Sequence, residues 1–352
     1  AVRGRGAPGF PAAAGAGCVS FPETVLPPVL KRHGGAGKDT ESELISTVIV
    51  NWNSGCLLEA CVRSLLRNAG KCQIVVVDNA SEDSSLQFAR DTKADLLILR
   101  NERNLGFAAA NNIGWRAARG TFILFLNPDT ECLPGSVDCL RGTLAADRGV
   151  WAAGGRLVSP SGRSQAEFNV RAFPTVESVA AKMLFLDKVW PKHPWSARCA
   201  SPPGGAAVDV DQPAGACLMV SRDAMELLGG FDETFAPAWF EDVDLCRRIW
   251  DKGGRIQFHP AARFLHHGGY SLGRLSQRDF LRFFHANQIR YFQKHFGPAA
   301  ARRVRRWIVL GLYLRSILSL ACASDFGRSR LSSARSYGAA ARDILRSEEA
   351  QG

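Results

Sequence analysis

The sequence predicts an α/β protein, with a mostly parallel sheet flanked by helices and a C-terminal helical extension. Three observations carry that expectation. Short β-branched or aliphatic runs alternate four times with stretches of helical periodicity between residue 45 and about residue 146. Acids stand at the carboxyl ends of two of those runs, Asp78 and Asp129, the edge where open α/β sheets bind ligands. At 352 residues, with 46% hydrophobic and 22% charged content, the chain has globular composition and ample material for a core.

The elements follow in order. Ile45–Asn51 is a β-branched run and reads as the first strand. Leu57, Leu58, Cys61, Val62, Leu65 and Leu66 then recur at helical spacing. Gln73–Asp78 is the second strand, followed by a polar helix start at Ser81–Asp83. Asp95–Leu99 is the third strand and Ala108–Ala118 a helix. Thr121–Leu126 is the fourth strand, stopped by the Asn127-Pro128 step, and a helix begins near Pro134.

The second half is less regular. Val150–Val158 and Ala216–Val220 read as strands. Between them, 159–205 is a Pro-, Ser- and Gly-rich insertion with a helical patch around Val179–Leu186. Trp239–Asp251 is a helix closed by Gly253-Gly254, Ile256–His259 a short strand, and Asp279–His295 a long basic-aromatic helix. Three regions result: a Gly/Ala/Pro-rich leader over 1–43, expected to be disordered; a domain over 44–298; and a basic, partly apolar helical tail over 299–352.

Charge and cysteine use narrow the partners. The formal charge is +11, and from residue 301 onward there are ten arginines, no lysine and four acids, a net +6. Such a tail suits an anionic surface, and with no nucleic-acid reader motif in the chain the expected surface is lipid rather than nucleic acid. Trp307–Ala323 is apolar apart from Arg315 and follows Arg302, Arg303, Arg305 and Arg306. Its flanks favour an interfacial helix over one packed on the domain or one crossing the bilayer. The ten cysteines are scattered, with no C-x-x-C pair, which points to reduced thiols in a cytosolic protein rather than disulfides or zinc.

Four segments carry chemistry. Asp78 can accept from a ribose hydroxyl, or form an Asx turn or N-cap. The segment Asn101–Gly114, with Asn104, Gly106 and Asn111, is small-residue-rich and matches neither G-x-G-x-x-G nor a Walker loop. It either lets backbone pass close to a ligand or simply packs tightly. Asp129 is a candidate ligand for a hard divalent ion bridging a diphosphate, joined by one of His266 and His267, since adjacent residues on an extended segment face opposite ways. Glu241, Asp242 and Asp244 crowd one helix start. Capping explains part of this, but three acids in four positions call for a nearby cation or metal, and one carboxylate there can accept a proton from an attacking hydroxyl.

These segments, in this order, resemble the glycosyltransferase family 2 enzymes of the GT-A fold, especially their rhamnosyltransferase-like branch. The likeness is carried by Val50-Asn51-Trp52-Asn53, Val77-Asp78-Asn79-Ala80-Ser81, Asn104-Leu105-Gly106-Phe107 with Asn111, and Leu126-Asn127-Pro128-Asp129. It continues through Gly215–Met219, Gly229–Glu233, Trp239–Cys246 and His266–Ser271, spanning roughly Ile45 to Phe296.

The resemblance implies a nucleotide-sugar-binding fold and an inverting, metal-dependent transfer of a sugar from a dTDP- or UDP-linked donor. The sugar would be a deoxyhexose such as rhamnose, and the acceptor a saccharide or lipid-linked hydroxyl in cell-surface polysaccharide assembly. Asn51, Asn53, Asp78, Asn104, Gly106, Asn111 and Asn127 would line the donor side. Asp129 matches the last acid of a D-x-D-like motif whose first acid is here Asn127. His266 or His267 would complete the site for Mn2+ or Mg2+. Asp242, paired with Glu241, matches the catalytic base. Ala236 departs from the aromatic that many relatives carry. The implied location is cytoplasmic, peripheral on the inner face of the cell membrane. Two rivals remain: a nucleotidyltransferase, which would need a second metal-binding acid near Asp129, and a catalytically silent sugar- or lipid-binding module.

Overall fold

The structure, a computed structural model, describes residues 44–91, 95–190, 205–268, 275–321 and 327–349. The leader over 1–43, the 191–204 part of the insertion and Gly269–Ser271 of the last motif lie outside the described residues.

Strand β1 (Ile45–Asn51) is buried along its whole length and sits between β2 (Cys72–Asp78) and β4 (Phe122–Leu126), parallel to both. β3 (Leu96–Arg100) extends this parallel set beyond β2. Continuous apolar runs suit strands covered on both faces. Alternate residues divide accordingly. Ile45, Ile49, Ile74 and Val76 pack with Leu58, Cys61, Val62 and Leu65 of α1 (Cys56–Asn68). Val48, Val50, Val75 and Val77 pack on the other face with Ala108, Ala110 and Trp115 of α2 (Phe107–Ala117).

Past β4 the sheet becomes mixed. A short β5 (Thr130–Cys132) and α3 (Ser136–Ala146) lead into β6 (Val150–Val158). β10 (Cys217–Ser221) enters between β4 and β6, antiparallel to both. β11 (Arg255–His266) runs parallel to β6, with β5 and β8 (Val208–Asp209) antiparallel on it. The order is β3-β2-β1-β4-β10-β6-β11-β5: the first four strands and the β6–β11 pair are parallel, as a mostly parallel sheet requires, and β10, β5 and β8 run antiparallel to their neighbours. The reversal follows from β10, which fills the middle of the sheet from the opposite direction.

The insertion is partly ordered into α4 (Ala166–Asn169), β7 (Val170–Arg171), α5 (Val176–Met183) and α6 (Leu186–Val189). β7 pairs with β9 (Gln212–Pro213) in a two-stranded sheet of its own. After β10 come α7 (Arg222–Leu228) and α8 (Glu241–Asp251).

Three local expectations change. Ser81–Asp83 is loop, and only a 3-10 turn at Gln87–Asp91 follows it. α8 starts at Glu241 rather than Trp239, because Trp239 and Phe240 both hold positive φ, 75° and 74°. β11 has 12 residues instead of four: Pro260 interrupts the strand signal, but a register shift between His259 and Arg263 absorbs it and the pairing resumes.

The C-terminal region is a long α9 (Gln277–Ala321), broken at Gly297 (φ 79°) just before Pro298, and α10 (Gly327–Glu349). Val304, Ile308 and Leu312 of α9 are buried with Val179 and Met183 of α5 and Ala340, Ala341 and Ile344 of α10. Arg315 closes this contact, donating to the carbonyls of Met183 (2.6 Å) and Lys182 (2.8 Å). One face of the apolar stretch is therefore packed on the domain. Among the described residues no helix is long and apolar enough to cross a membrane.

Candidate active site

The carboxyl edge of the parallel strands is assembled by amides. Asn51, buried at the end of β1, donates from Nδ2 to Asp78 Oδ1 (2.8 Å), Ser81 Oγ (3.0 Å) and Ser85 Oγ (2.8 Å). Asn53 Oδ1 accepts from the backbone N–H of Glu82 (2.7 Å) and Asp83 (3.2 Å). The 79–85 segment is thus strapped to the end of β1. Asp83 accepts from Gly55 N–H (2.8 Å) at the start of α1. That explains why no helix begins there: its acid serves another helix's N-terminus.

Asn79 holds the next loop. Its Nδ2 donates to Asn104 Oδ1 (2.7 Å), and its Oδ1 accepts from Asn101 Nδ2 (3.0 Å) and Leu105 N–H (2.9 Å). Asn104 Oδ1 also receives Gly106 N–H (2.9 Å). Gly106 has φ 87°, and a Cβ there would stand 3.0 Å from the carbonyl oxygen of Pro237, so the backbone passing close is the protein's own. Asn111 is buried and donates to the Phe107 carbonyl (3.0 Å). Asn104, Gly106 and Asn111 are thus all engaged in building the wall.

Asp129 follows β4 on the same edge, and its Oδ1 is buried without a hydrogen-bond partner. The atom facing it is His266 Nε2, at 3.6 Å. The tautomer of His266 is fixed by Gln165. Gln165 Nε2 donates to the His266 carbonyl (2.9 Å), which turns its Oε1 onto His266 Nδ1 (2.8 Å). Nδ1 therefore carries the hydrogen and Nε2 the lone pair. Burial also lowers the His266 pKa, despite the pull of Asp129, and so favours the neutral ring.

Two buried acceptors then face each other with no hydrogen between them, an arrangement that fits a cation held by both. Among the described residues no third His, Cys, Asp or Glu joins them. Phosphate oxygens and water would complete such a site. The His267 ring turns away from Asp129 to Glu131 Oε1 (3.1 Å), and its backbone N–H donates to the Asp129 carbonyl (3.0 Å). Of the two histidines it is His266 that the strand's alternation brings to Asp129. Asn127 Oδ1 is a second buried, unpartnered acceptor nearby in the chain.

The three acids in the first turn of α8 separate into different environments. Asp244 is fully buried. Burial alone would raise its pKa, but His295 (2.8 Å), Arg248 (2.7 Å) and Lys294 (2.7 Å) outweigh it and hold the carboxyl below its ordinary range. Glu241 is also buried, and loss of water, then the charge of Asp242, push its pKa well up. Asp242 is the accessible one. Its Oδ2 accepts from Arg171 (3.2 Å) and from Gly215 N–H (3.2 Å), and its Oδ1 from Val243 N–H (2.8 Å). The expected cationic partners are therefore arginine and lysine side chains, with the His295 ring hydrogen-bonded to Asp244 beside them.

Gly215 and Asn127 connect the two halves of the site. Asn127 N–H donates to the Ala216 carbonyl (3.0 Å), one residue from the glycine that touches Asp242. The 236–239 loop leading into α8 is clamped by Asn287 of α9, whose Nδ2 reaches the carbonyls of Ala238 (2.9 Å), Trp239 (3.1 Å) and Ala236 (3.3 Å). Residues 46–190 match the glycosyl transferase family 2 profile, and residues 197–269 match that described as N-terminal domain of galactosyltransferase.

Residues 46–190 form a glycosyl transferase family 2 domain.

This glycosyltransferase is 28% identical over 303 residues to the N-acetylglucosaminyl-diphospho-decaprenol L-rhamnosyltransferase of Mycobacterium tuberculosis, covering 82% of this chain and 96% of that protein. It is 25% identical over 259 residues to polypeptide N-acetylgalactosaminyltransferase 15 of Mus musculus, covering 70% of this chain but 38% of that one. Its fold is similar to the crystal structure of GalNAc-T7 with UDP, GalNAc and Mn2+ (TM-score 0.52, 16% identity), covering 83% of this chain and 54% of that one. The α/β sheet with flanking helices is a GT-A fold.

Sequence reasoning missed Gln165, Arg171, Asn79 and Gly215 as parts of the site. Asn79 and Gly215 stood inside two of the motifs without a role of their own, and Gln165 and Arg171 stood in no pattern that a linear reading detects.

Proposed function

We propose that this glycosyltransferase inverts the anomeric centre while moving a deoxyhexose, such as rhamnose, from a dTDP- or UDP-linked donor to a hydroxyl of a lipid-linked saccharide. The observation that carries the reading is the buried, unpartnered Asp129 Oδ1 faced by His266 Nε2 at 3.6 Å, on the sheet edge that also bears Asp78 and leads through Asn127 and Ala216 to Asp242. Asp129 and His266 are the residues that would hold Mn2+ or Mg2+. The ion, when bound, supplies charge neutralisation at the leaving diphosphate. Asp78 accepts from the nucleoside, in a position held by Asn51.

Asp242 takes the proton from the acceptor hydroxyl. Arg171 and Gly215 N–H orient its carboxylate, and burial beside Asp242 raises the Glu241 pKa, which disfavours a second charge there. With one base and no second carboxylate poised as nucleophile, a single displacement gives inversion. The choice of rhamnose and of a lipid-linked acceptor is supported by the mycobacterial relative, and a place on the inner face of the cell membrane in polysaccharide assembly by such an acceptor.

The test is transfer of radiolabelled rhamnose from its dTDP conjugate to a lipid-linked N-acetylglucosamine acceptor. Asp242→Asn should lower turnover by about 10²–10⁴-fold while a nucleotide-sugar thermal-shift panel with Mn2+ stays parental. Asp129→Ala should abolish the metal-dependent shift. Parental turnover in Asp242→Asn would reject the assignment of the base, and a metal-independent panel would reject the site at Asp129.

A further inference from the structure

Residues seven apart on an α-helix lie nearly in line, and the second half of α9 shows two such rows on its outer side. One is Arg303, Leu310, Ile317; the other is Arg306, Tyr313, Leu320. Each runs from an exposed arginine to an aliphatic side chain, in steps of about 10 Å along the axis. Leu310 is 50% exposed, Ile317 61% and Leu320 51%. The inner side of the same helix is already taken by α5 and α10. Arg303, Leu310, Ile317, Arg306 and Leu320 are therefore surface, with charge at one end and apolar area at the other, while Tyr313 packs partly against the α5–α10 contact.

Helix α6 lies beside the apolar end. Phe185 and Lys188 line the same pocket as Leu318 and Ser319. α6 itself exposes Leu186 and Val189, the latter 80% open to solvent. Lys182, Lys188 and Arg315 surround that pocket with one acid, Asp187. An aliphatic tip contributed by two separate segments is thus collared by cations.

We propose that this end of α9, together with α6, docks on the surface of an anionic bilayer. Ile317, Leu318, Leu320 and Val189 enter the headgroup–acyl boundary, and Arg303 and Arg306 lie against lipid phosphates. An apolar face buried about 5–10 Å, on a helix entering obliquely, matches arginines one to two heptads above the aliphatic tip. A second copy of the chain fits less well, because pairing the tips would bring the two cationic collars together. The inference deepens the membrane placement proposed above, and it is independent of the glycosyl-transfer chemistry.

The test is co-sedimentation of the full chain with vesicles of phosphatidylcholine, with and without phosphatidylglycerol, in the absence of any nucleotide. The parent should bind the anionic vesicles and release at high salt. The double variant Ile317→Asp/Leu320→Asp should lose binding by more than tenfold, and Arg303→Gln/Arg306→Gln by about fivefold per arginine. Val189→Asp on α6 provides a second apolar variant outside α9. Unchanged thermal unfolding and unchanged transfer to a water-soluble acceptor would show that the variants fold. The proposal is overturned if the parent stays in the supernatant, if the aspartate variants bind as the parent does, or if sedimentation velocity shows instead a dimer that Ile317→Asp dissolves.

Discussion

Replacing Gly215 by alanine tests the assignment of Asp242 without touching the carboxylate. Gly215 holds no left-handed φ, so alanine meets no backbone penalty there. Its Cβ would, however, stand 2.7 Å from Asp242 Oδ2, 2.9 Å from its Cβ and 3.1 Å from its Cγ. Contacts that close cannot persist, so the carboxylate must move by several tenths of an ångström, straining its hydrogen bonds from Gly215 N–H and Arg171. A misplacement of about 1 Å in a reacting group can cost about 10²-fold in rate. The shorter displacement here should lower kcat by roughly 10- to 100-fold, or about 1.4–2.7 kcal/mol of transition-state stabilisation. In the proposed reading the donor's nucleotide is held at Asp78 and Asp129, away from Gly215, so its KM should change little. Initial rates of sugar transfer across donor concentrations give both constants, and thermal unfolding reports whether the variant is intact. A stable Gly215→Ala enzyme with parental kcat would mean that the proton is not taken at Asp242.

Other perturbations follow from the same contacts. Gln165→Leu removes the acceptor that fixes His266 Nδ1–H, and should weaken Mn2+ affinity by about 10–100-fold, measured by calorimetry in the presence of UDP; Gln165→Glu, which keeps an acceptor, should recover part of it. Asn287→Ala leaves three loop carbonyls without their donor and should cost about 1–3 kcal/mol in urea unfolding. Gly311→Ala would place a Cβ 2.6 Å from Met183 Cβ and 2.9 Å from its carbonyl oxygen, costing about 1–3 kcal/mol by overpacking. His285 is buried, and burial lowers its pKa to about 4 in the folded protein, against an ordinary value of 6.5. The unfolded chain therefore binds the proton more readily, and stability is lost as pH falls from about 6.5 towards 4. The loss reaches about 3 kcal/mol. His285→Gln should flatten that slope in a pH series of urea midpoints, and an unchanged slope would place the effect elsewhere.

The first half of the fold was legible because its strands are short apolar runs ended by Asp78 and by Asn127-Pro128, and its helices show the right period. The sheet edge bearing Asp129 followed directly from that. What stayed hidden depends on contacts between residues far apart in sequence. Ser81–Asp83 looked like a helix start because Asp83 is a good cap; the amide it caps is Gly55, across the loop. Pro260 masked the second half of β11, since no sequence signal marks the register shift that accommodates it. Gln165 reaches His266 across 101 residues and Arg171 reaches Asp242 across 71. Neither has a local pattern. The tail's apolar run was visible, but which side of it packs is decided by Met183 and Arg315, and composition could not show that.

The hold of α9 on the 236–244 segment bears on how relatives of this enzyme can diverge. Asn287, Lys294 and His295 all precede the break at Gly297, and all three serve the loop or the acid next to Asp242. A chain shortened before Gln277 would strip Asp244 of Lys294 and His295, leave Arg248 as its ion-pair partner, and leave the 236–239 carbonyls without Asn287. The stretch beyond Gly297 has no such duty toward the acids. The break therefore divides the helix: a graft joined after Gly297 would keep the polar contacts to the 236–244 segment, and with them the proton-transfer site proposed at Asp242. A graft joined twenty residues earlier would take part of that site with it.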